Sequence, residues 1–426
     1  MLSTPLAAAL ARRDIHYAWV VVAVTFLSML VSAGAVGAPG VLLLPLQREF
    51  GWDTADISTA MAIRLLLFGL MGPFAAAMIN RFGVRRMVLS SLTLVGSGLL
   101  ASLAMREVWQ LILLWGFVVG FGTGLTAMVL GATIATRWFV ARRGLVIGLL
   151  TASSATGQLV FMPLLSMLTE AYGWRTAIAL LCSLIAVAAL AMLALMRDRP
   201  ADLGLSAFGE VGAAAPAAPA GAILSAALGA LRDAAGTRAF WVLFATFFIC
   251  GASTNGLIQT HLIPLCVDFS VPEVQAAGLL ALMGIFDFVG TVGSGWLSDR
   301  YDNRWLLVWY YGLRGLSLLY LPYSDFTLYG LSVFAVFYGL DWIATVPPTV
   351  RLTAERFGRE RANLVFGWIF AGHQLGAATA AFGAGLSRTA LQSYLPAFAT
   401  AGALCLLAAV LVPLVGSRAK PAAAAE

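Results

Sequence analysis

Apolar residues run along this chain in long blocks, with polar residues gathered in the short breaks between them. Twelve blocks stand out, at 17–45, 54–79, 86–104, 108–136, 144–169, 174–196, 239–265, 273–298, 303–322, 327–350, 361–386 and 393–416. A hydrocarbon core ~30 Å thick is crossed by roughly 20 helical residues at about 1.5 Å each, so every block is of spanning length. Strict alternation of apolar and polar positions is absent. That excludes a transmembrane barrel and leaves helices, which satisfy their own backbone groups in lipid. The expected fold is an all-α integral membrane protein with twelve transmembrane helices.

The blocks form a tandem repeat. At an offset of 219 residues Gly37 falls on Gly256, Pro45 on Pro264, Asn80-Arg81 on Asp299-Arg300, Arg85 on Arg304, Arg137 on Arg356, Arg142 on Arg361 and Gly157 on Gly376. One register held over more than a hundred residues marks a duplication. It predicts two pseudo-symmetric six-helix bundles, 1–196 and 239–426. Residues 197–238 between them turn to Ala, Gly and Pro, with Pro216 and Pro219, and read as a linker. Its end, 224–238, suits a short amphipathic helix on the membrane face.

Composition agrees with this picture: 61% of residues are hydrophobic and 11% charged. Twenty of the 26 basic residues lie at the termini or in the connections on the same side, and only Arg48, Arg106, Arg175 and Arg388 lie opposite. Lys and Arg are retained on the cytoplasmic side, so both termini are expected there, in a multi-pass inner (plasma) membrane protein. The formal charge of +6 then reflects this bias and anionic lipid, and nucleic acid is not an expected partner. Arg12-Arg13 followed by a full-length span does not read as a cleaved signal peptide. Cys182, Cys250, Cys266 and Cys405 lie in apolar blocks without metal-ligand spacing. No metal and no cofactor are expected.

Six-helix bundles related by a parallel repeat are the plan of rocking secondary transporters, with the solute site near the midplane between halves. The loop after the second span reads Gly72-Pro73-Phe74-Ala75-Ala76-Ala77-Met78-Ile79-Asn80-Arg81-Phe82-Gly83-Val84-Arg85-Arg86, and its repeat runs from Gly295 to Arg304 through Asp299-Arg300. These loops resemble the loop motif of the major facilitator superfamily, with Asn80 where an aspartate is usual. The resemblance implies a latch at the helix ends, made here by Asn80, Arg81, Arg85, Asp299, Arg300 and Arg304. Within that superfamily, Trp138-Phe139-Val140-Ala141-Arg142-Arg143-Gly144 before the fifth span resembles the monocarboxylate transporter signature. It adds Arg142 and Arg143 to the gating set. Asp14-Ile15-His16-Tyr17-Ala18-Trp19 resembles the first-span signature of that branch, with Ile15 where glycine is usual. Arg199-Pro200-Ala201-Asp202-Leu203-Gly204 resembles it and its oxalate/formate-exchanging relatives.

Charges inside spans are costly in hydrocarbon and point to partners or wet cavities. Counting at about 1.5 Å per residue from the arginines at the span ends places Asp287, Arg314, Asp341 and His373 near the midplane, all in the second half. The first half has Arg64, one helical turn from the position equivalent to Asp287. Arg64 is a candidate to attract an anion, and Asp287, Asp341 and His373 to carry a proton. Arg314 is either a bidentate carboxylate ligand or a structural partner of Asp287 or Asp341. Asn255, Gln259 and Gln158, with Ser253, Thr254 and Gln374, are candidate hydrogen-bonding groups for a polar solute or glue between helices. Animal monocarboxylate transporters carry an arginine four residues after the eighth-span aspartate. Thr291 stands there in this chain, which leaves the solute open. Oxalate-exchanging relatives use a basic residue on the eleventh span, the place of His373.

These features converge on a secondary active transporter working by alternating access. Its expected cargo is a small organic anion, a monocarboxylate, moved with a proton, and its expected functional unit is a monomer. A proton-coupled exporter of drugs or other amphipathic solutes is the alternative on the same fold. An enzyme or transport-like sensor is disfavoured. The three histidines lie on separate spans, no nucleotide-binding loop ending in Gly-Lys-Ser/Thr is present, and no long soluble insert appears.

Overall fold

The computed structural model describes residues 3–126, 129–210 and 220–416. The first six spans are Ala18–Phe50, Thr54–Phe82, Val84–Ser102, a composite fourth from Val108 to Trp138, Arg143–Tyr172 and Trp174–Leu195. The second six are Arg238–Asp268, Glu273–Ser298, Asn303–Tyr320, a composite tenth from Leu328 to Phe357, Arg359–Leu391 and Leu395–Leu411. Among the described residues eight helices are long and apolar enough to cross a membrane on length and composition alone. The remaining spans are shorter, interrupted or more polar helices, and the whole is a twelve-helix bundle.

Helix breakers act here according to position. Pro39, Pro45, Pro73 and Pro163 lie inside continuous helices. Pro347 and Pro348 open the second part of the tenth span, Val346–Phe357, after a break at Trp342–Thr345. A proline at a helix start loses no hydrogen bond, since its N–H would be unpaired anyway. Two features gave no signal in the sequence. The fourth span is π-helical over Ile112–Val119 and the seventh over Ala252–Ile258. Such stretches shift the side-chain register of a helix and often mark working sites.

The linker contains a short 3-10 turn, Pro200–Leu203, and a helix, Ala220–Ala235. That helix packs on the second and eleventh spans. Trp368 Nε1 donates to Ala227 O (3.0 Å), and Arg361 pairs with Asp233 (2.9 Å).

The halves meet where the first span packs on the seventh, the second on the eleventh and the fifth on the eighth. Away from the termini this contact is tight. Ala33–Ala35, Gly37–Leu43 and Gln259–Cys266 are buried. A Cβ at Gly40 would lie 2.4 Å from Gln259 O, and one at Gly385 would lie 2.3 Å from Ser58 Oγ. Arg48 of the first span pairs with Glu273 of the eighth (2.5 Å), and Ala55 N donates to Thr389 Oγ1 (3.2 Å). The bundles are therefore closed on the side opposite the chain ends.

On the terminal side, three segments far apart in sequence form one clasp. Trp19 meets Phe139 (5.3 Å between ring centroids) and Phe208 (6.0 Å), and Phe139 meets Phe208 (5.7 Å). His16 Nε2 donates to Ser206 O (3.2 Å), and Tyr17 OH donates to Leu195 O (2.7 Å). Phe208 N donates to Trp138 O (2.8 Å), and Val140 N donates back to Phe208 O (2.9 Å). The stretch after the sixth span is thus strapped to the loop between the fourth and fifth.

Candidate transport site

Arg314, on the ninth span, is fully buried and turns inward within its own bundle. Its Nε donates to Asp341 Oδ2 (2.6 Å), Nη1 to Cys250 Sγ (3.1 Å) and Ser253 Oγ (3.4 Å), and Nη2 to the carbonyls of Asp341 and Trp342. A guanidinium has five N–H groups, and here five protein acceptors meet them. Tyr311 and Tyr338 flank it, each bonded through its hydroxyl to the seventh span, at Thr246 O (2.8 Å) and Ser253 O (2.7 Å). In this geometry no donor of Arg314 is left over for a solute.

The carbonyls that Arg314 takes belong to the break in the tenth span, where a helix end leaves backbone groups without partners. The eighth span supplies the rest. Asp287 Oδ1 accepts from Ile343 N (2.8 Å) and from Thr291 Oγ1 (3.1 Å), and Ser294 Oγ donates to Ala344 O (2.5 Å). Asp287, Thr291 and Ser294 share one helix face by their spacing. Glycine lets that face come close, since a Cβ at Gly290 would lie 1.8 Å from Leu340 O. Two buried carboxylates therefore lie about one buried guanidinium, and Asp341 Oδ1 has no protein partner.

Arg64 stands in a different setting. It is 4% exposed, its Nη1 donates to Val36 O on the first span (2.6 Å), and its buried Nε has no partner. No described acid forms an ion pair with it. Gly120 of the fourth span backs it, where a Cβ would lie 2.9 Å from Arg64 Cα. Across the bundle interface, Gln374 packs on Gly69 with its Oε1 buried and unpartnered. Gln259 is buried with Nε2 unpartnered. Asn255 is half-buried, and its carbonyl accepts from Thr260 Oγ1 (2.9 Å). His373 lies between Phe247 (4.8 Å) and Phe370 (5.6 Å), with Nδ1 unpartnered. The structure thus gathers Arg314, Asp287 and Asp341 in one cluster and leaves Arg64 apart, on the other bundle. The side chain of Gln158 lies outside the described residues.

The latch residues differ between the repeats. Arg304 N is capped by Asp302 Oδ1 (2.9 Å), and its guanidinium pairs with the same carboxylate (2.5 Å). At the position equivalent to Asp302 stands Gly83 at φ 87°, and the N–H of Arg85 is capped instead by Asp198 Oδ1 (2.9 Å), beyond the sixth span. Arg85 also reaches Leu193 O (2.5 Å). Asp299 pairs with Arg351 of the tenth span. Arg300 stacks on Trp296 (4.0 Å) and Arg81 on Phe82 (5.4 Å). Arg142 sits at φ 62°, in the left-handed region unusual for a residue with a side chain, and lies over Phe208 (5.9 Å). The side chains of Asn80 and Arg143 lie outside the described residues.

Sequence reasoning did not assign Cys250, Tyr311, Tyr338 or Ser294 to the charged cluster. Ser294 was detectable in principle, seven residues after Asp287 on the same face. The partners that are backbone carbonyls had no signal at all.

The family profile described as Major Facilitator Superfamily matches residues 25–381. An uncharacterized MFS-type transporter of Bacillus subtilis, YcxA, is 24% identical over 392 residues, covering 88% of this chain and 86% of its own. Monocarboxylate transporter 13 of Rattus norvegicus is 27% identical over 396 residues, 92% of this chain and 87% of its own. Monocarboxylate transporter 4 of the same species is 26% identical over 337 residues, 77% and 68%. A profile match over most of the chain and a twelve-helix fold together make this chain a transporter of the major facilitator superfamily.

Proposed function

We propose that the protein carries a small organic monocarboxylate together with a proton, by alternating access between bundles 1–196 and 239–426. The observation that carries this reading is the contrast in occupancy of the two buried arginines. Arg314 has acceptors for all five donors, whereas Arg64 has one carbonyl and no acid. A buried guanidinium without an anion is a standing electrostatic demand, and a carboxylate entering between the bundles meets it with two parallel hydrogen bonds. Gln374 and Gln259, each with a buried unpartnered atom, supply neutral hydrogen bonds for the rest of a small solute.

The proton belongs to the second bundle. Asp287 and Asp341 share Arg314, so one carboxylate in the cluster is in excess of the positive charge available to it. A proton on Asp287 removes that excess, and anion plus proton crosses without net charge. His373, between two aromatic rings, is a lesser carrier. The reading also takes the terminal side as cytoplasmic, the membrane as the inner membrane, Asn80, Arg81, Arg142 and Arg143 as part of the gate, and the monomer as the unit. The names of the mammalian relatives agree with the solute class.

The test is flux into proteoliposomes holding a pH-sensitive dye. A monocarboxylate should acidify the lumen beyond passive acid leak. Asp287→Asn should abolish the excess, and Arg64→Gln should cut it roughly 10- to 100-fold. Silence towards carboxylates, with lipophilic cations moving under an imposed proton gradient, would replace this reading with the exporter.

A further inference from the structure

The break in the tenth span joins two things that the transport reading leaves separate, the buried carboxylate and the latch on the terminal side. Val346–Phe357 begins at the break and carries Arg351, paired with Asp299, at its middle. Arg356, one turn further, donates to Gly416 O at the end of the twelfth span. At about 1.5 Å per residue this half-helix is a stiff rod of roughly 18 Å. Its inner end is held by the eighth span through Asp287 on Ile343 N and Ser294 on Ala344 O. Its middle is held by the same span through Asp299, and its outer end by the twelfth-span end through Arg356.

We infer that Trp342–Thr345 is a hinge clasped by the eighth span, and that Asp287 is a positioning residue whose protonation loosens the clasp and is felt at the Asp299–Arg351 latch. The inference rests on reading Asp287 as the proton carrier. A carboxylate accepting from an N–H makes a charge-assisted hydrogen bond, about twice as strong as the bond to the neutral acid. The proton therefore weakens the bond to Ile343 N without any group having to leave. Weakening it alone does not free the hinge, because Ser294 still holds Ala344 O. It lowers the barrier to rotation where the tenth span keeps only the turn bonds from Trp342 N to Gly339 O and from Val346 N to Ile343 O.

The charged and titratable groups facing Asp287 are few. Arg314 from the ninth span and Asp341 from the tenth lie within electrostatic reach. From the ninth span Tyr310 approaches Ser294. The fifth span, packed on the same helix, has its ionisable residues only at its ends, in Arg143, Glu170 and Tyr172. The far part of the seventh offers His261, which is turned to Ala381 O (2.8 Å) of the eleventh span, with Cys266 and Asp268 nearer its end. The lower part of the tenth has Arg351, Glu355 and Arg356, along the rod.

Hydrogen–deuterium exchange on the full-length protein in lipid nanodiscs tests this directly, since the Ile343 amide is itself the donor to Asp287. At neutral pH, Asp287→Asn, which keeps an acceptor but no charge, should exchange roughly 10-fold faster than wild type over 342–350, with a smaller gain over 351–357. Wild type should approach that rate in acid, after correction for intrinsic exchange. The variant should show no further acid response. Wild-type rates in Asp287→Asn would overturn the hinge, and a gain confined to 342–345 would overturn its transmission to the latch. Ser294→Ala guards against a misfolded aspartate variant. It should speed 342–350 and keep the acid response, and unchanged exchange would again overturn the clasp. Exchange needs neither solute nor gradient, so the two readings fail separately. Lost proton flux with unchanged exchange removes the hinge alone, whereas a responsive hinge in a protein that moves no proton with a monocarboxylate removes the transport reading alone.

Discussion

The two repeats interrupt the same helix at the same place and hold the interruption by different chemistry. In the second repeat the tenth span stops at Asp341 and resumes at Val346. In the first, a helix of the fourth span stops at Gly124 and Leu125 and Thr126 are turn residues, at the positions equivalent to Ala344 and Thr345 of the tenth-span break. Arg314, Asp341 and Asp287 of the second repeat are answered in the first by Val95, Gly122 and Phe68. There, among the described residues, a serine binds the broken stretch. Ser91 Oγ donates to Gly122 O (2.7 Å) and lies 3.2 Å from Thr126 Oγ1. A neutral hydroxyl thus suffices to build this broken helix. Three buried charges are far more expensive to desolvate and are not needed for the break itself. Their presence on one side only supports the task proposed for them in the working cycle.

The largest blow to this comparison is Arg314→Ala, which leaves Asp341 buried without its cation. It should destabilise the fold by about 3–5 kcal/mol, seen as a collapse of the unfolding temperature in detergent. Arg314→Gln with Asp341→Asn should recover most of that loss, because a neutral pair leaves no naked charge. If the double variant is as unstable as the single one, charge compensation is not what the cluster provides.

Arg64→Gln sharpens the contrast from the other side. Here uptake should fall roughly 10- to 100-fold, the loss of one charged hydrogen-bonding partner, while the unfolding temperature stays near wild type. An equally large loss of stability would make Arg64 a second Arg314. Ser91→Ala comes next, at about 1 kcal/mol of stability and no change in the pH dependence of transport. Altered pH dependence in that variant would show that the neutral break also takes part in coupling.

Asp302→Asn is the smallest. Arg304 beside Asp302 holds its carboxyl below the usual carboxylate range. A depressed value in the folded state adds stability that is present above the unfolded value and lost as pH falls through the folded one. The variant should therefore be weaker than wild type by under about 1 kcal/mol at neutral pH and indistinguishable from it in strong acid, since the pair is surface-exposed. A pH-independent deficit would mean that the cap on Arg304 N, not the charge, is what matters.

Much of this was legible in the sequence because it depends on length and register. The spans follow from apolar run length, and the 219-residue offset carried the duplication down to single residues such as Gly37 and Gly256. Prolines were an uneven guide, since Pro347-Pro348 stand at the break of the tenth span whereas Pro39 and Pro163 lie inside continuous helices. What the sequence left open was pairing. Arg314 had two aspartates in range, and only the fold brings Asp341 to its Nε while turning Asp287 to a backbone N–H. Val36 O as the partner of Arg64 was beyond reach, since a carbonyl has no identity in sequence. The π-helical stretch Ala252–Ile258 was equally hidden, because one wider turn leaves no trace in composition.

The aromatic clasp on the terminal side bears on what a family likeness means. The segments by which this chain resembles monocarboxylate transporters, 14–19, 138–144 and 199–204, gather there, Trp19 and Phe139 meeting over Phe208 just beyond the third. They share a joint of the chassis, well away from Arg64 and from the Arg314 cluster. A lineage can keep such a joint unchanged while its cargo drifts, so kinship read from these words speaks to how the machine moves and is silent on its freight. For naming the freight, the residues around Arg64 and Gln374 are the ones to compare.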